Sequence, residues 1–314
     1  MSGNARDQRA ENNPRFSIVI TFHNQRQFLE DAVNSALQQK NASFEVIAVD
    51  DASSDGSPEK LRQYEGVAKV LCLEKNLHAC GARNRGAALA RGEYLVFLDG
   101  DDAFLPWALK VYERIVEEKN AVFLLTSMRW FEETLPSAGE RPKEIQLVEY
   151  GDYLKRDRGF GHSASAFVIA RKAFEEVGGW LEGFFPMEDV ELAMRLGTAG
   201  RTIQVLSPPT VLHRAHASNS IHNVAAFLGP TEELLSRERQ GLFPGGEARR
   251  FERQALLGGV TAHWIKRAGK VGLYAGALRL LGRGALMVAA SARRKLGKAA
   301  GKRQATETLA MGVG

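Results

Sequence analysis

Tyr94-Leu95-Val96-Phe97-Leu98-Asp99-Gly100-Asp101-Asp102 is an apolar run that ends on three carboxylates around one glycine. A short, unbroken apolar run of this kind reads as a strand buried on both faces, the usual unit of a parallel sheet. Comparable runs occur at Phe16 to Ile20, Phe44 to Val49, Val67 to Leu73 and Ala121 to Thr126. Between them the apolar residues take helical spacing, as at Phe28, Leu29, Ala32, Val33, Ala36 and Leu37 and again from Leu105 to Val116. Parallel neighbours need crossover connections, and the crossovers cover the sheet. The alternation therefore predicts an α/β fold, a mainly parallel Rossmann-like sheet with helices on both faces.

The later chain continues the pattern more loosely. Arg129 to Glu149 is polar and reads as a long loop, followed by a strand at Ser165 to Ala170 and a helix from Arg171 that stops at Gly178-Gly179. A helix from Glu188 to Ala199 and a short strand at Thr202 to Leu206 come next, and beyond His222 the chain reads as helical to its end. Three segments result: a polar, disordered N-terminus at 1–15, a sheet domain at 16–220, and a helical, basic extension at 221–314.

Of 314 residues, 44% are hydrophobic and 25% charged, which suits a globular protein with a sizeable core. The two cysteines, Cys72 and Cys80, are too few for a disulfide framework and lack zinc-site spacing. Residues 1–15 carry no apolar stretch, so the expected location is the cytoplasm. Net charge is +5, yet eleven Lys and Arg and no Asp or Glu fall between Trp264 and Arg303, leaving −6 on the remainder. An acidic body with a basic end argues against nucleic acid and for an anionic surface such as the inner face of the plasma membrane.

Strands of such sheets bind ligands beyond their carboxyl ends, and here those ends carry Asp50 to Gly56, Asn76 to Gly86 and Asp99 to Asp102. Asp99 and Asp101, held close, repel unless a cation lies between them, and hard oxygen donors suit Mn²⁺ or Mg²⁺. Such an ion also offsets charge on a departing diphosphate. A solvated acidic turn capping the next helix is the alternative. Asp51-x-Ser53-x-Asp55-Gly56 partly matches a calcium loop, but Arg62 stands at its twelfth position and a strand precedes it.

Ser17 to Asn24, Glu45 to Ser57, Asn76 to Gly86 and Glu93 to Asp102, taken in order, resemble the inverting family 2 glycosyltransferases of the GT-A fold. The resemblance is tight from Phe16 to Phe104 and looser to His216. It implies a nucleotide-diphosphate sugar donor, UDP-sugar foremost, held by Thr21, Phe22, Asn24, Asp50, Asp51, Arg83, Asp99 and Glu188. It places the metal at Asp99, Asp101 and His216, with His216 preferred to His213. Met187-Glu188-Asp189-Val190 matches the family's Glu-Asp motif at a helix start, which makes Asp189 the general base; first-turn acids favoured by the helix dipole are the alternative. Arg195 then either holds that acidic pair or makes a structural salt bridge. His23 and His78 depart from the family's usual residues beside the donor, which leaves base and sugar open.

The implied acceptor is a glycan or a lipid-linked sugar in surface polysaccharide, lipopolysaccharide or capsule assembly. Leu256 to Leu296 is basic and helix-compatible, too interrupted by Arg279 and Arg283 to span a membrane. It is read as an interfacial helix, or as an appendage packed on the domain or on a second subunit of a homodimer. The rival functions are a nucleotidyltransferase, which would release pyrophosphate, and a silent nucleotide-sugar-binding scaffold.

Overall fold

The computed structural model describes residues 13–40, 42–159, 161, 163–216, 219–300 and 303–312. Most of the expected N-terminal segment, residues 1–12, lies outside the described residues. The first strand, β1 (Phe16–Phe22), is buried at every position. It pairs in parallel with β2 (Phe44–Asp50) on one side and β4 (Tyr94–Asp99) on the other, and β3 (Lys69–Cys72) adds to β2. Chain order reverses between β1 and β4, and a crevice opens at such a reversal. The register sets Phe22 opposite Asp50 and Thr21 opposite Asp99, so two acidic strand ends flank the end of β1.

The rest of the sheet is mixed. β5 (Ala103–Phe104) pairs with β9 (Thr202–Arg214), which runs parallel to β6 (Phe123–Phe131) and antiparallel to β7 (Glu144–Tyr150). β8 (Phe167–Ala170) joins β4 to β6, both antiparallel. The stretch read as a loop from Arg129 to Glu149 is thus shorter than expected, because β6 reaches Phe131 and β7 starts at Glu144. β9 also outruns its expected end at Leu206. Pro208 and Pro209 stop the apolar pattern, but they fall where the β6–β9 register shifts, and an irregular ladder tolerates proline. The end of the chain is not wholly helical either: β10 (Glu307–Ala310) pairs with β7 and completes the sheet.

Alternation along β1 divides the core between the two faces. Ile18 and Ile20 pack with Leu29 and Val33 of α1 (Leu29–Leu37), and the same cluster takes in Tyr112 and Ile115 of a later helix. Val19 faces the other way with Ile47, Val49, Leu95 and Phe97. In chain order the further helices are α2 (Ser57–Leu61), α3 (His78–Ala88), α4 (Ala108–Lys119), α5 (Arg171–Glu176) and α6 (Glu188–Arg195). The C-terminal third adds α7 (Val224–Arg239), α8 (Arg250–Lys270) and α9 (Tyr274–Ala300). Leu257, Trp264, Leu280 and Met287 of these belong to one buried cluster with Trp180, Phe184 and Met187, so the extension packs on the sheet domain.

α8 and α9 cross at close quarters because small residues line the crossing. A Cβ on Gly258 would collide with the backbone of Met287, and one on Gly284 would lie 2.9 Å from Thr261 Cγ2. Gly258→Ala gains about 1 kcal/mol of helix propensity but forces two backbones apart, at roughly 1–3 kcal/mol. The collision involves main chain, which cannot swing aside. Calorimetric unfolding is expected to show a lower Tm for Gly258→Ala; a raised Tm would refute the tight crossing.

Candidate active site

The strand ends and the C-terminal helices enclose a cleft of about 1860 Å³. Gly100 lets the end of β4 press against β1: its N–H donates to Thr21 O at 3.0 Å, and a Cβ there would strike the Phe22 ring. The three carboxylates of this turn have separate partners. Asp99 accepts from Arg83 Nη2 at 2.6 Å. Asp101 Oδ2 meets His216 Nε2 at 2.7 Å, and the His216 ring stacks on Phe28. Asp102 is fully buried and accepts from Ser165 Oγ at 2.6 Å and from the backbone N–H of Arg214 at 3.1 Å, with His213 Nδ1 2.9 Å away. Asp102 therefore fastens β9 to the turn.

Arg83 is buried in α3 and also donates through Nη1 to Glu188 Oε1 at 3.0 Å, with the Trp180 ring beneath it. Two carboxylates hold its guanidinium proton above the ordinary arginine range despite burial. Asn84, the next residue, exchanges two hydrogen bonds with the Trp180 backbone. The Gly179 φ of 71° at the preceding position supplies the left-handed turn that this docking requires.

Asp189 follows Glu188 into the first turn of α6 and lines the cleft. Its Oδ1 accepts from Val190 N at 2.6 Å. Burial, and then the neighbouring Glu188 carboxylate, push its carboxyl up to about 8. Asp101 is likewise raised to about 6, first by burial and then by Asp102 and Asp99. Among the described residues no three His, Cys, Asp or Glu side chains are gathered to hold one ion. Asp101 and His216 are brought into contact, whereas Asp99 turns to Arg83.

Thr21, Phe22, Asn24, Asp51, Arg83, Asp99, Asp101, Glu188, Asp189 and His216 all line the cleft. Asp50 does not. It is fully buried, and its Oδ2 accepts from Ser53 N at 2.9 Å, shaping the loop that presents Asp51. Asp51 in turn accepts from Leu77 N at 2.7 Å and ties the second loop to the third. Asn24, Ala52 and His78, one on each of three loops at this end, adopt left-handed φ of 54°, 54° and 59°. Strain of this kind gathers at binding sites.

Arg195 does not reach Glu188 or Asp189. It pairs with the fully buried Glu191 at 2.6 Å and donates to Gly179 O at 2.6 Å, so the structural alternative holds. Arg214 was overlooked beside the two histidines. Its guanidinium lies 4.5 Å and 4.4 Å from the Phe28 and Phe131 ring centres and binds Asp31 at 2.6 Å and Asp101 O at 3.0 Å. Its place between His213 and His216 is the sequence signal for it.

A family model described as Glycosyl transferase family 2 matches residues 17–178. The chain is 36% identical over 116 residues to the putative teichuronic acid biosynthesis glycosyltransferase TuaG of Bacillus subtilis (strain 168), over 36% of this chain and 46% of TuaG. It is 29% identical over 211 residues to the amylovoran biosynthesis glycosyltransferase AmsB of Erwinia amylovora, covering 62% of this chain and 67% of AmsB. The chain spans less than half the length of TuaG. Among solved structures, S. aureus TarS 1-349 in complex with UDP-GlcNAc has a TM-score of 0.63 at 18% identity, covering 77% of this chain and 71% of that one. That likeness shows the GT-A type of fold. With more than half of its length matched by the family model, the chain belongs to glycosyl transferase family 2.

Proposed function

We propose that the chain is an inverting glycosyltransferase that moves a sugar from a nucleotide-diphosphate donor, a UDP-sugar foremost, to a hydroxyl of a glycan or lipid-linked acceptor. The observation that carries this reading is Asp189, a carboxylate of raised proton affinity on the wall of the cleft that also contains the acidic turn. Inversion needs a base that takes the acceptor proton as the hydroxyl attacks. A carboxylate in water is too weak a base for this, and burial beside Glu188 strengthens it. Asp51, with Thr21 and Phe22, supplies the nucleotide end, and Arg83 supplies fixed positive charge for the diphosphate.

Asp101 and His216 are the donors that Mn²⁺ or Mg²⁺ would share, joined by Asp99 and by oxygens of the donor. Burial first, and then the neighbouring Asp102 and Asp99 carboxylates, raise the Asp101 carboxyl, and a divalent ion would relieve that crowding of charge. When bound, the ion stabilises the departing diphosphate. The names of TuaG and AmsB support a place in polysaccharide assembly, and the TarS complex with UDP-GlcNAc supports the donor class. Among the described residues no helix is long and apolar enough to cross a membrane. Exposed Tyr274, Leu278 and Leu286 on α9, beside Arg279 and Arg283 that share one acidic partner, Glu232, favour peripheral contact with an anionic bilayer.

Asp189→Asn is expected to lower transfer by roughly 100- to 10,000-fold while leaving UDP binding with Mn²⁺ unchanged by titration calorimetry. Loss of both together, or release of pyrophosphate in place of UDP, would sink the assignment.

The pH profile follows from the same carboxyl. Only its ionised form accepts a proton, and its value lies above the ordinary carboxylate range, so kcat/KM should climb with pH and level off above about 8. The climb is about tenfold per pH unit at low pH. A wild-type profile flat from acid to neutral pH would contradict it.

A further inference from the structure

The cleft extends well past Asp189, and its two ends carry opposite charge. Asp51, Asp99, Asp101, Glu188 and Asp189 surround Arg83 at the end described above. The other end is walled by the segment after β7 and by the C-terminal helices, and it presents Arg156, Arg158, Arg294, Lys295 and Arg303 against one carboxylate, Asp157. Helical spacing brings these together: Leu256, Gly259, Val260 and His263 share one face of α8, and Ser291, Arg294 and Lys295 one face of α9. Asp157 offsets one of these charges, and its two oxygens also accept from Tyr150 Oη and Gln304 N, both at 2.9 Å.

Arg294 and Arg158 are held in place by neutral acceptors. Arg294 donates to the carbonyls of Leu154 and Arg156 at 2.9 Å and 2.7 Å. Arg158 donates to Thr306 Oγ1 at 2.9 Å and Gln304 O at 3.1 Å, and its buried Nε has no partner among the described residues. Carbonyls orient a guanidinium without cancelling its charge. Burial, and then Arg156 beside it, pull the Arg294 value down and outweigh the opposing pull of Glu252 and Asp157. Next to this rim α8 offers an apolar wall, Leu256 and Val260, backed by Trp264 stacked 3.8 Å from Phe227.

We propose that the basic end of the cleft is the acceptor site and that the acceptor carries a phosphate next to the sugar it presents to Asp189. The inference rests on the transfer reaction proposed above. Forked guanidinium groups match phosphate oxygens, and the apolar wall suits whatever the phosphate joins to the sugar. Segregated charge also keeps the two anionic substrates apart. The acidic end repels a phosphate that arrives without a metal, and the basic end lies ready for one.

The test uses the full chain and three probes in titration calorimetry: octyl phosphate, glycerol 3-phosphate and the uncharged octyl glucoside. The double variant Lys295→Glu with Arg303→Glu alters exposed positions, and retained binding of UDP with Mn²⁺ verifies its fold. Octyl phosphate is expected to bind the wild type and to weaken at least about tenfold in the variant, with octyl glucoside binding weakly and equally to both. If glycerol 3-phosphate binds as tightly as octyl phosphate, the phosphate belongs to a soluble glycan chain; if only octyl phosphate binds, it belongs to a lipid. Either result supports the site. Absence of binding by both phosphates, equal affinity for octyl glucoside, or an unaffected variant would overturn it. Failure of the wild type to bind UDP with Mn²⁺ would instead strike at the transfer reaction.

Discussion

Arg83, buried between Asp99 and Glu188, joins three segments that lie far apart in sequence. It sits on α3, its partners on the end of β4 and the start of α6. A buried charge is stable only when paired and hydrogen-bonded, and removing one partner of such a group costs about 3–5 kcal/mol. Two acids against one base leave net negative charge beside Asp189. Burial comes first in raising the Asp189 carboxyl, and the acids of this cluster, Glu188 and Asp99, add to it against the opposing pull of Arg83.

The acidic turn shows how one short motif can carry three tasks. Asp99 locks onto Arg83, Asp101 faces His216, and Asp102 is withdrawn into the protein, where it binds Ser165 and the β9 backbone. His213 is thereby delivered by β9 and His216 by the residues just past its end, the path past the turn being fixed by Asp102 and by Arg214 between two aromatic rings. Position in the turn decides which carboxylate is structural. Residue type alone does not.

Sequence legibility followed burial. β1, β2 and β4 are covered on both faces and were visible as apolar runs, and the acidic loops at their ends marked the cleft. Parts that rest on long-range pairing were not visible. β10 is four residues whose pairing with β7 depends on a partner far back in the chain, and β9 continues through two prolines only because its ladder shifts there. Asp50 and Asp51 are equivalent on paper and both are buried, yet Asp50, the last residue of β2, turns to the backbone of Ser53, and only Asp51, the first residue beyond the strand, reaches the cleft. Arg195 lies one turn from Glu191, a shorter reach than to Glu188 or Asp189, so it pairs there. The share of the C-terminal helices in the core and in the cleft wall depended on a docking angle that no local pattern encodes.

The three left-handed residues on the loops after β1, β2 and β3 have a bearing on how this site can change. Asn24 N is held by Ser53 Oγ at 2.9 Å and His78 N by Asn76 Oδ1 at 2.7 Å, while Ser53 N, one residue past Ala52, is held by Asp50. Asn24 also takes part through its own side chain, which accepts from Ser54 N at 2.9 Å, whereas at Ala52 and His78 the bend is enforced by a neighbour. The scaffold and its lettering are uncoupled there. A lineage could exchange the residue at 78, which lines the cleft, and revise what its mouth accepts without redrawing the path of the backbone that frames it.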